Sequence, residues 1–340
     1  MDTKKILGLA FLGIVVMGVL GMTVWVVKAY RAPLGPALVP TSIPTNADPV
    51  QAQIILTPNP EPTPIPVVDQ VSVCGETAVW NILVLGSDAA DLRPPKGSDL
   101  TRVLRVDFPN RRVTMFAFSR DLWVDTTGLG LTNPIINATQ LGMVFYEARN
   151  RSASTNVRDS MIDGTNATAR MLANNFLVSS DHYLAIDLAQ VPAMVDAIGG
   201  VPINIPATIT DPYIGMTIQA GQQTLNGAQF VAYARAIPDS DFARIQRNSW
   251  LLLALQKKLL DPSVWGRIPQ LYAQFNNVIA TDLSPEQINH LSCLLQEVPN
   301  DAILQDSIRP EWTSPGPQPG SLSWDKTSVF NRLKELGLTP

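Results

Sequence analysis

Residues Ile6 to Val27, 22 in all, carry no charged side chain. As a helix such a run rises about 33 Å, the thickness of a bilayer's hydrocarbon core at roughly 30 Å. A run of this length and purity constrains the whole chain, because whatever follows it must lie on one side of a membrane. Lys4 and Lys5 precede it, which by the positive-inside rule keeps the N-terminus in the cytoplasm. Lys28 and Arg31 follow it and reduce the asymmetry. A cleaved signal peptide has an apolar core of about 7–15 residues and a small-x-small cleavage site. This run is too long, and Lys28-Ala29-Tyr30 makes a poor site. The prediction is an uncleaved signal anchor: 1–5 a cytoplasmic tail, 6–27 a transmembrane helix, and the rest extracytoplasmic on a single-pass cell-membrane protein.

The segment 28–70 reads as a proline-rich linker. Pro33 to Pro66 holds ten of the 28 prolines, a density that bars helix and favours extended polyproline II. Fully extended, it spans about 100 Å and suits a domain working at a distance from the bilayer. Residues 71–311 have globular composition, and 312–340 read as a C-terminal loop and short helix. Net charge is -4 and charged residues make up 16% of the chain. No basic stripe is present, so nucleic acid is not an expected partner. Cys74 and Cys293 are the two cysteines, both on the presumed outer side where disulfides persist. They form either a disulfide, favoured by compartment and even count, or two buried thiols. No CxxC occurs and His182 and His290 lie far apart, which argues against zinc.

Trp80–Leu85 followed by Gly86-Ser87-Asp88 reads as a buried strand ending in a turn. Arg102–Asp107 and Val113–Phe118 read as a hairpin around Pro109-Asn110. Helices are expected at 136–149, 159–176, 227–234, 241–260, 284–297 and 326–336. Strands are expected at Tyr183–Asp187 and Val201–Ile205, flanking a short helix that Gly199-Gly200 ends. Trp312–Trp324 reads as a loop. Interleaved strands and helices imply a layered α/β domain.

Polar residues that carry chemistry gather at the predicted strand ends. They are Asp88, then Arg93 and Asp99, then Arg120-Asp121, Asn137, Arg235, and Asp241, Arg244 and Arg247 on one helix. Arg244 and Arg247 stand three apart and share a face. Two carboxylates with several arginines suit a magnesium-bound pyrophosphate: hard oxygens hold the metal, and planar guanidinium forks grip phosphate. The same residues can equally form ordinary salt bridges. No Walker-type GxxxxGK[ST] loop and no Ser-His-Asp arrangement occurs.

The order of these motifs resembles the LytR-CpsA-Psr family of bacterial cell-wall proteins, over roughly residues 79–295. The resemblance rests on Asn81–Asp88, Ser98-Asp99-Leu-Thr101, Ser119-Arg120-Asp121, Ile136-Asn137-Ala138 and His182-Tyr183. It continues through Ala197–Val201, Gly221–Gly227, Tyr233-Ala-Arg235, Asp241–Arg247 and Thr281-Asp282-Leu. It implies a three-layer α/β/α sandwich around a mixed central sheet. It also implies a magnesium-dependent phosphotransferase that moves a glycopolymer from an undecaprenyl pyrophosphate carrier to peptidoglycan, with pyrophosphate cleavage as a companion activity. An apolar tunnel would hold the polyprenyl chain. Carried over, Asp88 and Asp99 become the metal ligands, with Asp88 also the first choice to take the acceptor's proton. Arg120 is catalytic. Arg93, Arg120, Arg235, Arg244, Arg247 and Asn248 bind pyrophosphate, with Asn137 and Asp241 in support. Three departures stand out: Ile237 where the family has a second arginine, Ser119 for a proline, and Asn248 for a glutamine. A lost charge-assisted phosphate contact costs about 1.5–3 kcal/mol. The alternative reading is therefore a binding module of the same fold, weakly active or inactive.

Overall fold

The computed structural model of the chain describes residues 28–39, 73–87, 98–131, 137–211, 215–236, 240–265, 267–299 and 302–340. The apolar run 6–27, Asp88, Arg93 and Ile237 lie outside them. No helix among the described residues is long and apolar enough to cross a membrane.

The strands, in chain order, begin with β1 (Val79–Ser87), β2 (Ser98–Asp107), β3 (Arg112–Phe118), β4 (Trp123–Asp125) and β5 (Ala138–Gln140). Then come β6 (His182–Asp187), β7 (Val201–Ile205), β8 (Ile209–Thr210), β9 (Thr217–Ile218), β10 (Gly221–Leu225), β11 (Ile279–Thr281) and β12 (Ile303–Ser307). β13 (Thr313–Pro315) and β14 (Leu322–Trp324) close the series. The helices are α1 (Leu141–Asn150), α2 (Val157–Phe176), α3 (Val191–Ala197), α4 (Gly227–Arg235) and α5 (Asp241–Leu259). They continue with α6 (Pro262–Trp265), α7 (Ile268–Phe275), α8 (Pro285–Glu297) and α9 (Lys326–Glu335).

Six strands form one sheet in the order β11-β6-β1-β2-β3-β12. β1, β2 and β3 are successive antiparallel neighbours, whereas β6 joins β1, and β12 joins β3, in parallel. The sheet is therefore mixed. Asp107 closes the β2–β3 turn by accepting the Asn110 backbone N–H at 3.0 Å, the Asx chemistry that makes such residues turn formers.

Strand alternation sorts the side chains onto two faces. Leu83, Leu85, Val103, Phe116, Phe118, Tyr183 and Ala185 face α1, α2 and α9, in one core with Leu141, Phe145, Met161, Phe176, Val329 and Leu333. The opposite face carries Trp80, Ile82, Val106 and Val113, packed with Leu294 and Val298 at α8. Arg102, on that second face, reaches Ser249 Oγ (3.0 Å) and Ile245 O (2.9 Å) of α5. A central mixed sheet with helices on both sides is what the family resemblance implied.

Several expectations need correction. The predicted helix 136–149 begins with a strand, β5, which pairs with β4, and the helix starts only at Leu141. Asn137 therefore opens no helix; it is exposed and its carbonyl accepts Thr126 N at 2.8 Å. The predicted loop 312–324 contains the β13–β14 ribbon, and Trp324 stacks on Phe176 with ring centroids 4.5 Å apart. β11 and β12, three and five residues long, were not anticipated. Residues 33–39, expected as the start of a stalk, lie on the domain. Cys74 and Cys293 meet in a disulfide, with Cα atoms 5.7 Å apart.

Candidate functional site

Four elements deliver their charged residues to one point, at the start of β2 and the end of β3. Asp99 is the second residue of β2, not a loop residue as its sequence surroundings suggested. Beside it Ser98 anchors the strand end, its Oγ donating to Leu100 O at 2.8 Å. Arg120 sits in the turn after β3, held there because Gly142 N donates to its carbonyl at 2.9 Å. A Cβ on Gly142 would stand 3.0 Å from the Arg120 Cβ and 3.1 Å from the Ser98 carbonyl, so glycine lets the two segments approach without displacing either. Arg235 is the last residue of α4, and Asp241 the first of α5, where a carboxylate is favoured by the helix dipole.

Arg120 Nη1 pairs directly with Asp99 Oδ1. Arg235 Nε lies 3.5 Å from Asp99 Oδ2, and Arg244 Nη1 lies 3.4 Å from Oδ1. Arg244 also donates to the Asp99 carbonyl at 2.6 Å and to Asp241 Oδ1 through Nε at 2.8 Å. Ser119 Oγ donates to Asp241 Oδ2 at 2.6 Å. Arg120 Nε stands 3.7 Å from Asp121 and 3.9 Å from Asp241. The result is three arginines converging on one carboxylate, backed by two more. Exposure divides them: the side chains of Arg120 and Arg235 are 16% and 14% open to solvent, that of Arg244 only 1%. Arg244, expected to grip substrate, is placed instead as an enclosed strut between Asp99 and Asp241.

Burial and charge set the protonation of this cluster. Burial works to raise the Asp241 carboxyl, but the Arg244 guanidinium and the Ser119 hydroxyl outweigh it and hold it below the usual carboxylate range. Burial likewise works to lower Arg244, and Asp241 and Asp99 outweigh it, so its pKa is raised. Asp121 goes the other way. Burial and the neighbouring Asp241 charge push it up to about 6, against the pull of Arg120. Arg102, buried beneath α5 with Arg244 nearby, is lowered to about 9.

Arg247 and Asn248 are buried on α5, and the Arg247 guanidinium donates to the carbonyl of Ala236, fixing the chain just after Arg235. Ser119 and Asp121 belong to the site although they were not singled out as binding residues. The Ser-Arg-Asp run around Arg120 was the available signal. Gln140 was missed altogether. Its Nε2 contacts Asp121 Oδ1 at 3.4 Å and Gly320 O at 3.0 Å. Leu322 N donates to Asp121 O at 2.8 Å, so the C-terminal ribbon braces the turn that carries Arg120.

The family model for LytR_cpsA_psr matches residues 58–327, most of the chain and every residue of this cluster. The chain belongs to the LytR-CpsA-Psr family. Among curated relatives, regulatory protein MsrR of Staphylococcus aureus is 25% identical over 60% of this chain and 56% of its own length. The Enterococcus faecalis polyisoprenyl-teichoic acid–peptidoglycan teichoic acid transferase TagU is 23% identical over 63% of this chain and 64% of its own. The match thus spans little more than half of the first of these relatives. Among solved structures, Bacillus subtilis TagV superposes with a TM-score of 0.60 at 20% identity, over 78% of this chain and all of that one. A LytR-Csp2A-Psr enzyme from Actinomyces oris gives 0.59 at 17% identity, over 92% of this chain and 97% of the other. These likenesses establish the LytR-CpsA-Psr fold.

Proposed function

We propose that this domain moves a glycopolymer from a polyprenyl pyrophosphate carrier to peptidoglycan or another cell-envelope acceptor, through attack of an acceptor hydroxyl on the phosphorus that bears the polymer, which breaks the bridging P–O bond and releases polyprenyl phosphate. The observation that carries the proposal is the convergence of Arg120, Arg235 and Arg244 on Asp99, with Arg120 and Arg235 keeping solvent-facing edges. Guanidinium forks aimed at one point suit the closely spaced oxygens of a pyrophosphate and stabilise charge that builds on the leaving group. Arg244 positions Asp99, and Arg247 positions the end of α4. The oxygens of Asp99, with Asp88 outside the described residues, are hard donors of the kind magnesium takes. Bound there, magnesium would neutralise phosphate charge. Asp88 is the first choice to accept the hydroxyl proton. Asp121, pushed up to about 6, is the second, because a base poised nearer neutrality removes a proton more readily.

The lipid chain has a candidate path. On the sheet face toward α5 and α8, the apolar Val84, Leu104, Met115, Leu184 and Ile186 are only half-buried, although they lie on central strands. A cleft of about 740 Å³ opens between the C-terminal end of α5 and α8, lined by Leu253, Leu260, Leu295, Val298 and Ile303 together with the polar Gln256, Lys257 and Gln296, and it lies at the far end of α5 from Asp241 rather than beside the Arg120 cluster where the tunnel was expected. Two of the similar proteins point to the substrate class, although MsrR is named a regulatory protein: TagU is named a teichoic acid transferase, and one solved structure is of TagT bound to LIIa-WTA. The remaining parts of the reading are the N-terminal anchor at 6–27 and an extracytoplasmic domain.

The test is magnesium-dependent release or transfer of polymer from a synthetic polyprenyl pyrophosphate donor. Arg120→Ala and Asp99→Asn should each lower the rate by orders of magnitude, while donor binding is retained to within about tenfold. Unchanged rates in both variants, with binding intact in the wild type, would leave the binding module as the better account. Because Ile237 stands where the family carries a second arginine, Ile237→Arg should raise the rate if the site is weakened rather than abandoned.

A further inference from the structure

Residues 28–39 follow the apolar run directly, yet they do not lead away from the domain. Leu34 N donates to Leu283 O at 3.3 Å, and Val39 N to Asn166 Oδ1 at 3.0 Å. The Arg158 guanidinium donates to Leu34 O, and the hydroxyl of the fully buried Tyr183 donates to Pro36 O at 3.0 Å. Leu38 packs against the core shared by the sheet, α1 and α2. Gly35 fits so closely that a Cβ would stand 2.6 Å from Thr281 O and 3.1 Å from the Tyr183 hydroxyl. A buried tyrosine hydroxyl needs a partner, and here the strap supplies it. The segment therefore completes the fold at the β11–α8 corner and along α2.

We propose that residues 32–39 are a strap that seats the domain on the lipid surface its own apolar run enters, with the β11–α8 corner turned to the headgroups. This rests on the anchor reading given above. Leu34 lies seven residue steps beyond Val27, a reach of at most about 25 Å even when fully extended. Residues 28–31 are helical, which shortens it further. Lys28 and Tyr30 in that turn are exposed, and Arg31 pairs with Glu286 at 3.3 Å. A basic residue and a tyrosine beside an apolar run are the side chains that settle at a membrane–water interface. The proline-rich stretch leaves the strap at its far end and rejoins the domain at β1, so its length sets no height above the bilayer.

The test uses the full chain in phosphatidylcholine–phosphatidylglycerol vesicles, with a donor dye on Asn289→Cys and acceptor dye on lipid headgroups. The native cysteines are paired, so the new thiol labels alone. Release variants are Gly35→Leu, which the Thr281 carbonyl excludes, and Arg158→Ala, which serves alone if Gly35→Leu does not fold. The Leu34 and Val39 amides should exchange with deuterium at least tenfold more slowly in the native chain than in a release variant. Energy transfer to the lipid should fall severalfold on release. Amides that exchange like free chain, or equal transfer in both forms, would overturn the strap while leaving the anchor standing. Failure of the chain to float with the vesicles would remove the anchor reading and the seating together.

Discussion

At the scale of single residues, Asp241 is a charge held almost wholly inside the protein, tolerable only because Arg244 and Ser119 answer it. Asp241→Asn leaves Arg244 enclosed with one carboxylate fewer. The expected cost is about 3–5 kcal/mol, read from urea unfolding. The pH dependence has two opposed parts. Asp241 is lowered in the fold, so its contribution is complete above the unfolded value of about 3.9 and is lost as pH falls through the folded value. Asp121 is raised to about 6, so its contribution is complete below the unfolded value and is lost as pH rises through about 6. That gap corresponds to roughly 2–3 kcal/mol after allowing for partial exposure. Asp121→Asn should remove the decline in stability between pH 4 and 7, measured by unfolding in chelator.

At the scale of elements, α1 and α2 pack so tightly that normal helix propensity reverses. Gly164 lies inside α2, where glycine-to-alanine usually stabilises by about 1 kcal/mol. A Cβ there would meet the Phe145 ring at 2.8 Å and the Phe145 carbonyl at 2.9 Å. Gly164→Ala should therefore destabilise, by about 1–3 kcal/mol, because overpacking a closed helix contact forces backbone shifts. Thermal unfolding measures the sign directly. The helix ends follow local rules where tertiary structure does not intervene. Asn226 with Gln229 and Ser284 with Gln287 form capping boxes at α4 and α8, and the helices begin at the expected residue and one residue after it, respectively.

At the scale of the whole molecule, the Cys74–Cys293 bond closes a loop of 219 residues, tying the chain before β1 to α8. In the chain-entropy model a loop of this size stabilises by about 5 kcal/mol. Reduction, or the paired change Cys74→Ser with Cys293→Ser, should lower the unfolding free energy by that order in urea titrations. The C-terminal segment contributes to the same unity. Val329, Leu333, Leu336 and Leu338 sit in the core beneath β1–β3, so the last helix belongs to the domain rather than hanging from it.

The sequence by itself determined the central strands β1–β3, the long helices and the family, because strand alternation, helical period and capping act over a few residues at a time. Asp99, Arg120, Arg235 and Asp241 were legible as a group for the same reason: each closes or opens an element. Only the tertiary structure decided their roles. Arg120, Arg235 and Arg244 read alike in sequence, yet two keep an open edge and one, on the inner face of α5, is sealed against the start of β2, since burial depends on which helix covers the strand end. Short β11, β12 and the β13–β14 ribbon were invisible because three to five residues carry too little pattern, and the partners of β11 and β12 lie far along the chain. The proline-rich start of the linker misled for a related reason. Proline excludes a helix but says nothing about docking, and this extended segment lies on the domain, where the Pro36 carbonyl accepts the hydroxyl of buried Tyr183.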